Sequence, residues 1–553
     1  MTNLKLKITI AILVVDVFLT GCQTTPKPAF SATIQPPVFN FNAEENKFNA
    51  NTPIPVLRLA SERGDPVAEA ILGNYMVHGI HVTQDVEQGM RLMRHSAEQG
   101  FVHGMEGLGN LYMMGKFVPH NYSEALHWLR LAADRQDSDA ERDLALCYEM
   151  GFGVETNYAV SVTWLRKAAE HTNYVAMKDL GVLYMNGTEV PRDFEAARYW
   201  LMFAATNGNY ARAMYDLGVL GGMGELGTNS QVEATKWYQK SADMGDALAC
   251  WNLAVCYHNG AGVPRNQAKF IFWAGEAAAQ GNANAQFGLG EAYRAGEGVP
   301  KNKDIAMSWY RRAATNDHPH ACYILALGLL EEKTNHEAQI EAYRYMLQAA
   351  QAGHREAQFL YALACLHGDG VRQNNKQGTE WLKRSAEAGW PRAEFKIAMV
   401  YLNGLDQFPK DEMQGEIWLE RAAEHGNLDA EFTLGTRLMK GTGVTRNPTE
   451  AVKWWRHAAE HGYAKAQNDL GYAIEKGDAG KTDLVEACMW FLLAVKGDVA
   501  QAQTNLADLS SDLTVEQYHE ASQRAQDFHP QPVPMLNPIK GDNYTFATIP
   551  TSK

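Results

Sequence analysis

Ala285-Gln286-Phe287-Gly288-Leu289-Gly290-Glu291-Ala292-Tyr293-Arg294-Ala295-Gly296-Glu297-Gly298-Val299 is the stretch that decides the fold. Ala285, Leu289 and Tyr293 stand four apart, so on a helix they share one face. Gly290 beside the leucine leaves room for a second helix to come close. Gly296 and Gly298 then end the run, because glycine takes the left-handed conformation that closes a helix.

The stretch is periodic. A leucine or its substitute followed by Gly or Ala recurs at 72, 108, 144, 180, 217, 253, 289, 325, 361, 397, 434, 470 and 506. The spacing is 36 residues, twice 37, which makes thirteen copies. Four residues earlier stands Ala in every copy except one, where Gly104 replaces it. Twenty or twenty-one residues after the leucine comes a tryptophan in ten copies, from Trp128 to Trp490, with Ala five further on in almost all. That is a second helix, with a large residue packed beside small ones. A Gly-x-Gly-Val turn separates the two helices, as at Gly151–Val154, Gly260–Val263 and Gly441–Val444, and a second glycine such as Gly100, Gly208 or Gly245 ends most second helices. Copy five departs with a loose turn at Gly222–Asn229, and copy eight with Glu331–His336 in place of the glycines.

The pattern AxxxLGxxYxxGxGV, then W, then AAExG, closely resembles the Sel1-like repeat, a relative of the tetratricopeptide repeat. The resemblance covers about residues 64–528. It implies an all-α fold: a solenoid of about 12–13 helix-turn-helix Sel1-like repeats, forming a right-handed superhelix with helical caps. Val56–Arg63 resembles the end of a lone second helix, and Thr514-Val515-Glu516-Gln517 is a capping-box pattern opening a last polar helix.

The N-terminus carries different signals. Lys5 and Lys7 precede an apolar run, Ile8–Leu19, interrupted by Asp16 and followed by Leu19-Thr20-Gly21-Cys22. This is a secretory pattern, too short for a comfortable membrane span. The last four residues resemble the lipobox of bacterial lipoproteins, which implies cleavage before Cys22 and acylation of that cysteine. Gln23 after it implies delivery to the outer membrane. The expected organisation is a lipoprotein signal peptide at 1–21 and a flexible tether at 22–53, spanning about 30 Å as a coil. The repeat solenoid with its caps follows at 54–528, then a proline-rich irregular tail at 529–553. The six other cysteines lack any CxxC or regular pairing and suit an apolar core rather than a disulfide framework.

Three strings hint at chemistry. His457-Ala458-Ala459-Glu460-His461 fits a zinc-hydrolase pattern. Yet other copies carry Lys167-Ala168-Ala169-Glu170-His171 and Arg421-Ala422-Ala423-Glu424-His425 at the same register. The string is therefore the ordinary end of a second helix, where a cation also suits the helix dipole. Gly222, Gly224 and Gly227 mimic a dinucleotide fingerprint without a preceding strand. Gly480-Lys481-Thr482 mimics the end of a phosphate loop whose first glycine is Glu475. The sequence thus implies no catalytic residue, metal or cofactor, and a net charge of −14 argues against nucleic acid.

The candidate binding residues lie on the first helix of each repeat. Two residues before the leucine, copies five to eleven carry Tyr215, Trp251, Phe287, Tyr323, Phe359, Phe395 and Phe432. These rings either pack against the neighbouring helix or form an aromatic strip along a concave groove. Just before the leucine stand Asp143, Asp179, Asp216 and Asn252, either a solvated face or a polar edge for a basic or amide-bearing partner. The expected function is a non-enzymatic scaffold for envelope protein partners, anchored by its acyl chains at the outer membrane and facing the periplasm. The alternative is a receptor for a cell-wall or exported glycan. In proteins that the sequence resembles, such scaffolds serve envelope assembly, polysaccharide export or contact with host cells.

Overall fold

The computed structural model describes Phe48 and residues 52–532, apart from 188–189, 226, 228–229, 332–335, 406–407 and 479. The expected signal peptide, Cys22, most of the tether and the tail from residue 533 lie outside the described residues. Among those described are 27 α-helices and no strand. A leading helix, Ile54–Glu62, is followed by thirteen first helices (A), from Pro66–His78 to Ala500–Ser510, alternating with thirteen second helices (B), from Val86–Glu98 to Val515–Asp527. No helix among the described residues is long and apolar enough to cross a membrane.

Local chemistry sets the helix ends. Most B helices start behind an Asp or Asn whose side chain accepts the backbone N–H three residues on, as at Asp85, Asn121, Asn302 and Asp483. Nine A helices end at a left-handed glycine, among them Gly79, Gly151 and Gly296. The second glycine of the turn has a packing duty as well: a Cβ on Gly262 would lie 2.3 Å from the carbonyl oxygen of Gln231 in the preceding B helix. Copy five ends instead at Met223 in a right-handed conformation, as its missing Gly-x-Gly-Val foretells. Gly208 does not take the left-handed conformation; Asn209 does, at φ 47°.

In the first twelve repeats each A helix packs most closely on its own B helix, and each B helix on the next A helix. Several successive A helices also touch directly, while successive B helices of these repeats stand further apart. The repeats are therefore wedges, and the array curves with its A helices on the inside. The core runs as a chain of apolar clusters along the A–B seam. Ala68, Ala140, Leu108 and Leu144 are wholly buried in it, and the six described cysteines are buried and free.

The tryptophan column is not the deepest part of the B helix. Trp128, Trp381 and Trp490 are buried, but Trp164, Trp200, Trp237, Trp273, Trp309, Trp418 and Trp454 are only half-buried. Several have a cation over the outer face of the ring, Lys167 on Trp164 at 4.0 Å and Arg312 on Trp309 at 4.7 Å. The residue after the tryptophan goes deeper: Leu129, Leu201, Tyr238, Tyr310, Leu382, Leu419 and Phe491 are at most 1% exposed. That residue fills the space left by the glycine or alanine after the leucine. A Cβ on Gly290 would stand 2.5 Å from Tyr310, and one on Gly181 2.5 Å from Leu201.

Both ends are closed by helices. Leu57 of the leading helix is fully buried, and the capping box at Thr514 and Gln517 forms in both directions, at 2.9 and 3.2 Å. The last helix, however, packs mainly on the B helix Leu484–Lys496 rather than on its own A helix. The chain then turns back: the Phe528 ring meets Trp490 at 5.5 Å, and the Gln531 N–H donates to the Glu460 carbonyl at 2.9 Å. The thirteenth unit is thus a cap rather than a full repeat, within the 12–13 units expected.

Candidate interaction surface

The inner face is built by the A helices. In repeats three to six these are Ser138–Met150, Tyr174–Asn186, Ala211–Gly222 and Ala247–Asn259. Their register places Asp143, Asp179, Asp216 and Asn252 in one row along that face. The row is coupled across helices. Asn110, one repeat earlier, donates to Asp143 at 3.0 Å. Arg142 lies 3.7 Å from Asp143 and 3.5 Å from Asp179, and Lys178 is paired with Asp179.

Burial makes the row unusual for carboxylates. It pushes Asp143 up to about 6, against the pull of Arg142 and Asn110. It also raises Asp216 to about 7, where Lys178 and Arg212 attract and Asp179 and Asp246 repel. Glu106 is driven well above the carboxylate range by burial and then by Asp143, Asp137 and Asp139. Asp179 goes the other way: burial raises it, but Lys178 and Arg142 together outweigh that and hold it low. Burial is the largest cause of each rise.

The aromatic column is taken up by packing. Tyr215, Trp251 and Phe359 are buried, and Phe287, Tyr323, Phe395 and Phe432 half-buried. Tyr215 meets Tyr238 at 6.0 Å and Trp251 meets Phe270 at 6.5 Å, each on the B helix of the same repeat. Phe287 stacks on His318 at 4.4 Å and Tyr323 on His354 at 4.3 Å, at the start of the next A helix. Rings covered in this way leave little face on which a sugar could stack. Large exposed rings lie instead on the outer B layer, with Tyr199 60% and Phe272 57% exposed. Tyr199, Met202, Phe203 and Trp237 line a shallow groove there between two B helices.

The zinc-like string has a structural occupation. His457 Nδ1 pairs with the buried Glu431 at 2.8 Å, and His461 Nδ1 donates to the His457 carbonyl at 2.7 Å. The same clasp joins His95 to Glu69, His171 to Glu141 and His425 to Glu394, between the A and B helices of one repeat. Burial raises Glu141, Glu394 and Glu431, and the facing histidine works against it. Among the described residues no group of three or more His, Cys, Asp or Glu is arranged to hold a metal. The sequence reading missed the glutamate of this clasp. Its only signal is a Glu after the column alanine in the copies that also carry a His or Arg at the end of helix B.

The profile of the Sel1 repeat matches twelve segments, residues 66–101, 102–137, 138–173, 175–209, 211–246, 247–282, 283–318, 319–354, 355–390, 391–427, 428–463 and 464–499. The last match stops before the unit whose final helix packs backwards. Among solved structures, the chain is similar to a protective antigen present in uropathogenic Escherichia coli strains displaying an SLR fold. Identity is 27% and the TM-score 0.57, over 88% of this chain and 96% of that one. It is also similar to a Sel1 repeat protein from Oxalobacter formigenes, at 27% identity and a TM-score of 0.36, over 63% of this chain and 90% of that one. No curated protein gives a significant match.

Proposed function

Since the chain belongs to the Sel1 repeat family, we propose that it is a lipid-anchored, non-enzymatic adaptor of a bacterial envelope. Repeats of this kind typically mediate protein interactions, and the family is generally without catalytic activity. The observation that carries the reading is the inner face itself. It is a preformed row of A helices whose polar residues are held in register by the core, so a partner binds it with little ordering cost. The anchor is supported by Leu19-Thr20-Gly21-Cys22 and the basic and apolar residues before it. Two or three acyl chains on Cys22 would hold the protein firmly, because each buried CH₂ contributes about 0.8 kcal/mol.

The test is affinity capture of the full chain from detergent-solubilised envelopes, with Cys22→Ser alongside and intact-mass spectrometry of both. The expected result is an N-terminus starting at an acylated Cys22 and one or two stoichiometric proteins retained by it and lost with Cys22→Ser. An unprocessed N-terminus removes the anchor. Glycan fragments retained without any protein partner overturn the adaptor.

A further inference from the structure

The carboxylate row outruns its cations. Two residues before the leucine, repeat three offers Arg142 and repeat four offers Lys178, and these serve Asp143 and Asp179. At the same register repeat five has Tyr215 and repeat six Trp251. Asp216 is therefore the first carboxylate of the row with no cation at the residue before it; Lys178 and Arg212 attract it but leave its Oδ2 without a hydrogen bond. Lys178 is already engaged by Asp179. Arg212 stacks on the Tyr215 ring at 4.6 Å and lies 3.8 Å from Asp246. Asp216 is 4% exposed, and its Oδ2 makes no hydrogen bond. One repeat on, the buried Nδ2 of Asn252 is turned to the Tyr238 hydroxyl. Asp216 thus holds an unused acceptor in the row.

We propose that the inner face of repeats three to six receives an extended lysine- or arginine-bearing segment of a partner protein, whose cation pairs with Asp216. The proposal deepens the adaptor reading and rests on it. A charged donor makes the strongest hydrogen bond available to a buried carboxylate oxygen. An uncompensated buried charge is costly, so the site gains more from a cation than from a neutral donor. The chain's net charge of −14 also steers cationic segments toward it.

The experiment is fluorescence anisotropy of a labelled decapeptide alternating serine and lysine, titrated with the full chain in detergent. The serine–glutamate and all-serine decapeptides are the controls. Asp216→Asn, nearly isosteric, should weaken the basic peptide about tenfold or more, with an unchanged circular-dichroism melt. Glu380→Gln removes one exposed outer charge and should leave binding unchanged. Tyr215→Lys should also weaken it, by supplying a cation internally; if that variant does not fold, Asp216→Asn decides alone. Equal affinity for the basic and all-serine peptides, or equal binding by Asp216→Asn and Glu380→Gln, overturns the proposal. So does capture of the same envelope proteins by Asp216→Asn as by the unaltered chain, an outcome that leaves the adaptor reading standing.

Discussion

Gly290 and Tyr310 show what a single position in this array does. The glycine is there because the residue after the tryptophan needs its volume. Every aromatic at that depth faces a glycine: Tyr238 on Gly218, Tyr310 on Gly290, Trp455 on Gly435 and Phe491 on Gly471. Where the small residue is alanine, as at Ala145 and Ala362, the residue at the facing position is Leu165 or Leu382. We expect Gly290→Ala to cost about 1–3 kcal/mol by overpacking. Adding Tyr310→Leu should return part of it, because the two changes act on one contact. Urea titration of the two single variants and the double variant checks this, and simple additivity would contradict it. A second position concerns the backbone. Thr172 ends its B helix at φ 70°, where most copies have glycine. A β-branched residue pays about 1–2 kcal/mol in that region, so Thr172→Gly should raise stability by about 1 kcal/mol, seen as a higher urea midpoint. The small-residue column was legible as a place of close approach. Its partner was not, because the tryptophan beside it is the more conspicuous signal.

At the level of the helix, the caps carry a pH dependence. Six A helices open behind Asp or Asn, and two open behind His318 and His354. Their Nδ1 atoms accept the N–H of Ala321 and Ala357, each at 3.2 Å, which only a neutral ring can do. His320 lies between them, its ring 4.3 Å from that of His354. Burial lowers His318 to about 3, His320 to about 2 and His354 to about 4, with His354 adding to the effect on the other two. Arg355 adds to it at His354. A depressed histidine leaves the unfolded chain binding the extra proton. Its contribution is complete above the ordinary value of about 6.5 and fades as pH falls below it, by about 1.4 kcal/mol per pH unit for each group. Between pH 7 and pH 5 these three rings pull the urea midpoint down, while the raised carboxyls of Asp143, Asp216 and Glu106 push it up. The double variant His318→Asn/His354→Asn should lose about two thirds of the histidine contribution, so its midpoint should move upward relative to that of the unaltered chain as the pH falls. Parallel profiles for the two proteins would mean that these rings make no such contribution. The helices themselves and their glycine ends were legible in the sequence. Histidine as a cap was not, since nothing in its one-dimensional neighbourhood distinguishes it from a surface residue.

Over the whole molecule, stability is a sum of similar units and their interfaces. Removing residues 247–282, one matched repeat, keeps the register. Helix Ser230–Asp243 would then meet helix Ala283–Ala295 through the same columns. The shortened chain should stay folded and helical by circular dichroism, with a denaturant m-value lower by about a twelfth. Removing only 247–264 strands a B helix without its A helix, and should yield aggregation or a broadened, non-cooperative transition. Two equally soluble products would contradict a register-dependent array.

The sequence alone determined the period, the two helices of each unit, their facing columns and the resemblance that names the family. All of these follow from small, large and glycine residues recurring at fixed spacing, and a helix converts spacing into a face. Tertiary structure decided depth and pairing. Neighbouring columns differ by about 100° on one helix, and which of them goes deepest depends on where the partner helix crosses. For that reason Trp309 is half-buried while Tyr310 is covered, and the aromatic column is absorbed by its own B helix or by the next repeat. Asp216 sits in the same sequence column as Asp143. Only the neighbours brought beside it in space show that its Oδ2 is buried without a hydrogen bond.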